Sequence, residues 1–175
     1  MTTRCAVLLR GVNVGKHNRI AMADFRALLE GVGATDVRTL LQSGNSGVTA
    51  DPTGLEEKVE HALREQVGLN VRVLVRTLDQ LEQVVAECPF PEKAASDPKM
   101  LHVAFLEHPA DPDTVAAFGL RHGDDEIALG EKDLYLSYAK SSFDSPINKV
   151  LTKLAGVAST RNWNTVLKLR DLVAG

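Results

Sequence analysis

The sequence predicts an α+β protein of two successive βαββαβ halves, each with an antiparallel sheet, closed by a C-terminal helix. Three observations carry this reading. Short runs of strand length open each half, the continuously apolar Cys5–Leu9 and the run Leu101–Leu106. Helical apolar spacing follows each run and stops at glycine. A turn signal then separates two further strand-like runs, at Gln42–Asn45 in the first half and around Gly130 in the second. The order β-α-β-β-α-β, met twice, is the split-βαβ or ferredoxin-like unit.

The elements follow in order. Arg4–Arg10 is a buried strand. Met22, Phe25, Leu28 and Leu29 line one face of a helix that Gly31 or Gly33 ends. Val37–Leu41 and the run from Asn45 to Thr49 are strands. Thr53 and Glu56 have capping-box spacing, and Leu55, Val59, Ala62, Leu63 and Val67 form the apolar face of the helix behind them, stopped by Gly68. Val71, Val73 and Val75 alternate with Arg72 and Arg76 on a fourth strand. Thr77 and Gln80 cap a connecting helix.

Prolines at 89, 91 and 98 mark a linker over 89–99, which sets the first half at 1–88 and the second at 100–175. In the second half, Asp111 and Pro112 place an N-cap and a first-turn proline at a helix start. Glu126–Leu129 and Leu134–Tyr138 form a hairpin. Ser145 and Pro146 start a helix that Gly156 ends, and Ala158–Arg161 is the closing strand. Asn162 or Asn164 caps the last helix, which carries Val166, Leu167, Leu169 and Leu172.

The chain has 175 residues, 44% of them hydrophobic, and a net charge of −3. That composition is ordinary for a globular protein. No stretch approaches the length of a membrane span, and Met1–Arg4 lacks the features of a signal peptide. Cys5 and Cys88 stand far apart in apolar contexts and read as free thiols, with no metal site. Together these features point to the cytoplasm. The acidic balance and the lack of aromatics on the first half's central strands argue against nucleic acid; Tyr135 and His102 of the second half are a weak platform. Charge is unevenly spread. Residues 1–20 hold Arg4, Arg10, Lys16 and Arg19 and no acid, and the C-terminal segment is also basic. Asp124 and Asp125 read as surface charge.

The first helix is reached through a long connection, Gly11–Ala21, about twice the length of its counterpart, Glu107–Asp111. Long loops inside small units are disproportionately functional. In this topology the second strand runs parallel to the first, so the turn Gln42–Asn45 converges with that loop. The N-terminus of the first helix opens there too. The expected site therefore contains Arg10, Asn13, Lys16, Gln42, Ser43 and Asn45, and its ligand is a small anionic or amide-bearing molecule.

Arg161 either clamps an anion or bonds within the fold. Trp163 either stacks on a ring or anchors packing. Gly11–His17 misses a phosphate-binding P-loop by one residue and by the hydroxyl after the lysine. His17 and Ser43 are the candidates if the protein is an enzyme, but no motif names a reaction or a cofactor. The alternative is a protein-interaction module. Oligomeric state is not legible.

Arg10–Gly15, Asn18, Met22, Arg38-Thr39, Gln42–Asn45 and Thr160–Thr165 together resemble the bacterial domain-of-unknown-function family 1697. The resemblance implies two ferredoxin-like halves and no established activity. Ser46-Gly47 departs from the bulky apolar residues usual after the turn, which predicts a third strand bulged or thinly packed at its start. Lys140–Ser145 only loosely resembles the family's serine- and lysine-rich segment.

Overall fold

The apolar run at 5–9 becomes β1 (Thr3–Leu9), buried on both faces at the centre of the first sheet. The computed structural model describes residues 1–40, 43–154 and 156–175. The chain divides into two units, one of Met1–Glu82 with Lys168–Gly175 and one of Gln83–Leu167.

In the first unit, α1 (Met22–Gly31), β2 (Thr35–Leu40), β3 (Asn45–Ala50), α2 (Leu55–Ala62) and β4 (Val73–Thr77) follow β1. The sheet order is β2-β3-β1-β4, antiparallel throughout. Cys5, Val7 and Leu9 alternate onto one face, where they pack with Phe25 and Leu29 of α1 and Val59 of α2. Ala6 and Leu8 point to the other face and are also buried. On β4 that same alternation takes Arg76 inside completely.

The sequence expectation for β3 is corrected. Its pairing with β1 is unbroken from Ala50 to Asn45. The register shift lies in β2, between Thr35 and Arg38, where Asp36 adopts φ +49°. Gly47 lies under the C-terminal helix, where a Cβ would make ordinary contact with Leu172 and Val173 at 3.4 Å.

The expected Thr53–Glu56 capping box also does not form, because Gly54 is the N-cap and no side chain caps α2. Glu56 instead reaches the edge strand β4 and accepts the Val75 N–H at 2.8 Å, while Glu60, one turn on, accepts that of Val73 at 2.9 Å. The Thr77 N–H donates to Gln80 Oε1 at 3.0 Å, the expected capping box of α3 (Leu78–Ala86). Three successive outward N–H groups of an edge strand are thus satisfied by side chains, which blunts it against stray pairing.

Leu63–Val67 wind as a π-turn after α2. The wider turn rotates Val67 off the apolar face, leaving it 38% exposed instead of inward.

The second unit continues with α4 (Pro91–Ser96), β5 (Leu101–Leu106), α5 (Pro112–Phe118), β6 (Arg121–His122), β7 (Asp125–Leu129), β8 (Leu134–Ser137), α6 (Ile147–Leu154), β9 (Ala158–Asn162) and α7 (Trp163–Ala174). Its sheet order is β6-β7-β8-β5-β9. Without the two-residue β6 this repeats the first sheet's order. Leu106, Ile127, Leu136 and Ile147 are among its core residues.

Asp111 caps α5 by accepting the Thr114 N–H at 3.0 Å, and Asn162, not Asn164, caps α7 through the Thr165 N–H at 3.0 Å. Asp125 is not surface charge. It is buried, and it accepts the Ala139 N–H at 2.6 Å and the Ser145 hydroxyl at 2.5 Å. A buried carboxylate persists when hydrogen bonds replace its water.

Two boundaries differ from the sequence reading of 1–88, 89–99 and 100–175. The division falls inside α3, because that helix follows β4 with no intervening residue. The segment 89–99 contains a helix opened by Pro91. The last residues of α7 belong to the first unit, where Leu172 and Val173 approach Gly47 and Arg4 donates to the Ala174 carbonyl. No helix among the described residues is long and apolar enough to cross a membrane.

Candidate functional site

The connection from β1 to α1 is laced by its own asparagines. Gly11, Asn13, Gly15 and Asn18 all take left-handed backbone conformations, with φ between +52° and +67°. Glycine and asparagine tolerate that region best. Asn13 closes the loop from inside: its Oδ1 accepts the Ile20 N–H at 3.0 Å, its Nδ2 donates to the Ile20 carbonyl at 2.9 Å, and its own N–H reaches the Asn18 carbonyl at 2.9 Å. Asn18 Nδ2 donates to the Gly11 carbonyl at 3.3 Å, and Arg19 Nη2 to that of Gly15 at 2.6 Å.

The loop and the β2–β3 turn meet at the same end of the sheet. Leu8 pairs with Asn45 in register, and the Leu9 N–H donates to the Gly44 carbonyl at 2.8 Å. Contact is close enough to require glycine: a Cβ on Gly44 would lie 2.5 Å from Val12 Cγ2 and 2.8 Å from Leu9 Cβ. Asn45 is fully buried, and its Nδ2 donates to the Leu40 carbonyl at 3.2 Å and to Ser43 Oγ at 2.7 Å.

The candidates therefore separate by role. Asn13 and Asn45 hold the loop and the turn in shape. Ser43 is part-buried and engaged by Asn45. Arg10 and Lys16 are exposed, and among the described residues their side chains have no hydrogen-bond or ion-pair partner. His17 is exposed on the same loop. Gln42 lies outside the described residues. Asp24, in the first turn of α1, supplies negative charge near the helix start, where Ala21 is the N-cap and no side chain caps the helix. Asn13, Arg19, Ile20, Ala21, Asp24 and Val67 line a depression of about 300 Å³. Arg19, Asp24 and Val67 were not singled out from the sequence. The charge of residues 1–20 could have indicated Arg19, but nothing in the sequence marks the π-turn that exposes Val67.

Arg161 belongs to the second unit. It is part-buried, with Nη1 donating at 3.0 Å to both the Ser159 hydroxyl and the Thr160 carbonyl. Desolvation pulls its guanidinium down to about 10, still cationic at neutral pH. Trp163 is buried, as a packing anchor is. Tyr135 is buried too, its hydroxyl donating to the Val84 carbonyl at 2.7 Å, so it offers no exposed ring for base stacking. Burial raises the Cys5 thiol to about 11, and the part-buried Cys88 is raised as well.

No curated protein matches the chain. Among solved structures, one described as the conserved bacterial protein SP0830 from Streptococcus pneumoniae superposes with a TM-score of 0.79. It is 24% identical, and the match covers 99% of each chain. That likeness is one of fold. The Sex-lethal RNA recognition domains 1 and 2 from Drosophila melanogaster match at 16% identity over 91% of this chain and 99% of theirs, with a TM-score of only 0.24. The model of the family described as "Protein of unknown function (DUF1697)" matches residues 1–135, which include the loop and the turn but not the Thr160–Thr165 cassette. With more than half of its length matched, this chain belongs to the DUF1697 family.

Proposed function

We propose that the first unit binds a small anionic molecule, or the anionic group of an amide-bearing one, at the Gly11–Ala21 loop and the adjoining turn. Arg10 and Lys16 are its charge partners. The observation that carries this reading is that both cations stand exposed and unpartnered among the described residues, on a loop whose asparagines are committed to holding its shape. A preorganised loop with free cations costs little ordering entropy on binding. The ligand is held in the cytoplasm, where Cys5 and Cys88 persist as free thiols.

Thermal unfolding in a panel of phosphate, nucleotides and carboxylates tests this. An anion raises the wild-type melting temperature with dose, and added salt weakens the rise. Lys16→Ala shrinks it while changing stability by no more than about 0.5 kcal/mol, as an exposed position should. No shift with any anion, together with a Lys16→Ala variant destabilised by well over about 1 kcal/mol, would make Lys16 a structural residue and remove the reading. Val14, 71% exposed beside Lys16 on the loop, favours a docking loop for a partner protein as the second reading.

A further inference from the structure

The depression between the loop and α1 has a chemistry of its own. Its volume of about 300 Å³ is at the low end of the range for small-molecule pockets. Arg19 is on one side, its guanidinium steadied by the Nη2 bond to the Gly15 carbonyl. The start of α1 opens beside it with no side-chain cap. Asp24 is exposed in the first turn and has no hydrogen-bond or ion-pair partner among the described residues. Arg19 and Asp24 lie five positions apart and do not pair with each other. The apolar wall comes from Ile20, Ala21 and Val67, the last presented by the π-turn. Such turns recur at functional sites.

The geometry points to a pocket for a small zwitterion, an α-amino acid with an aliphatic side chain. Its carboxylate meets Arg19 and the open N–H groups of α1, a favourable place for negative charge. Its ammonium meets Asp24, and its side chain covers Val67. A plain anion of this size would face Asp24 unpaired, and a plain amine would face Arg19. Only a ligand carrying both charges satisfies both groups. None of these residues is Arg10 or Lys16, so this pocket and the anion site above stand or fall separately.

Isothermal titration with leucine, N-acetyl-leucine and leucine amide tests the pocket. The expected result is binding of leucine, with each blocked analogue weaker by at least roughly tenfold, because each leaves one protein charge unanswered. Asp24→Asn should weaken leucine and narrow its advantage over N-acetyl-leucine. Arg19→Gln should do the same against leucine amide. Arg19 also holds the loop, so Asp24→Asn, at a position free of internal bonds, is the decisive variant. No binding of leucine at millimolar concentration, or equal binding of either blocked analogue, overturns the zwitterion pocket. Phosphate titration of the same samples, read through Lys16→Ala, reports independently on the anion site.

Discussion

Gly44→Ala tests the junction that brings loop and turn together. Two costs are expected. Residue 44 has φ +76°, and an L side chain in the left-handed region costs roughly 1–2 kcal/mol. The new methyl would also lie 2.8 Å from Leu9 Cβ and 2.5 Å from Val12 Cγ2. Val12 can turn its side chain away, but Leu9 Cβ is fixed to the backbone of the central strand. Relief must therefore come from the turn, and forced packing of this kind costs typically about 1–3 kcal/mol. The total is about 2–5 kcal/mol. Gly15→Ala is the matched control: its φ is +67°, yet a Cβ there meets nothing within 4 Å, so only the conformational cost of roughly 1–2 kcal/mol applies. Urea unfolding of both variants reads the difference, with the slope unchanged if the transition stays two-state. If Gly44→Ala costs no more than Gly15→Ala, the loop and the turn are not in contact and the site has no common floor.

Two further predictions concern the units separately. Glu56→Ala should cost about 1.5–3 kcal/mol, the range for a hydrogen bond to a charged group, and should speed hydrogen exchange at the Val75 amide; Glu56→Gln keeps an acceptor and should recover most of both. His102 of the second unit is part-buried against the Tyr138 ring, 5.0 Å between centroids, and desolvation depresses it below 6.5 despite its bond to the Lys99 carbonyl. The unfolded chain then binds more protons than the native one just below pH 6.5, so its stability contribution is present above that value and is lost as pH falls; urea midpoints should decline with acid in the wild type and less steeply in His102→Gln.

The fold was legible because its signals are periodic and local. Cys5–Leu9 and Leu101–Leu106 read as strands by their length and apolar content, and β1 and β5 form there. Thr77 with Gln80 and Asp111 with Pro112 named their helix starts correctly. Misreadings arose where one side chain had two possible partners. Glu56 has the spacing of a capping box, but the edge of β4 offers it an unpaired N–H, and that bond forms instead. Asp125 looks solvated beside Asp124, yet Ala139 and Ser145, distant in sequence, draw it inside. Val67 fits a 3.6-residue face, and the π-turn breaks that period. At the site, topology alone predicted that loop and turn share one end of the sheet. It could not show that Asn13 would turn inward to Ile20 while Lys16 stays outside.

That division of labour explains why a net charge of −3 is a poor guide to the chain's binding chemistry. Several acids are committed to architecture. Glu56 and Glu60 blunt β4, Asp125 ties β7 to Ser145 and Ala139, and the buried Asp133 accepts the Leu106 N–H at 2.9 Å. Glu56, Asp125 and Asp133 accept backbone N–H or hydroxyl donors, and Glu60 besides its N–H bond pairs with Arg72 at 3.3 Å, so these acids are engaged by partners outside the N-terminal loop. The cations of the N-terminal loop correspondingly keep their charge. Arg10 and Lys16 have no carboxylate partner among the described residues, and Arg19 is held by a carbonyl. On the proposed anion-binding reading, a ligand approaching this loop meets the positive field of Arg10 and Lys16, screened mainly by salt, while the exposed Asp24 offsets Arg19. On that reading a small anion that fits beside the loop is preferred to a long polyanion, because only the small ligand avoids the acidic remainder of the surface.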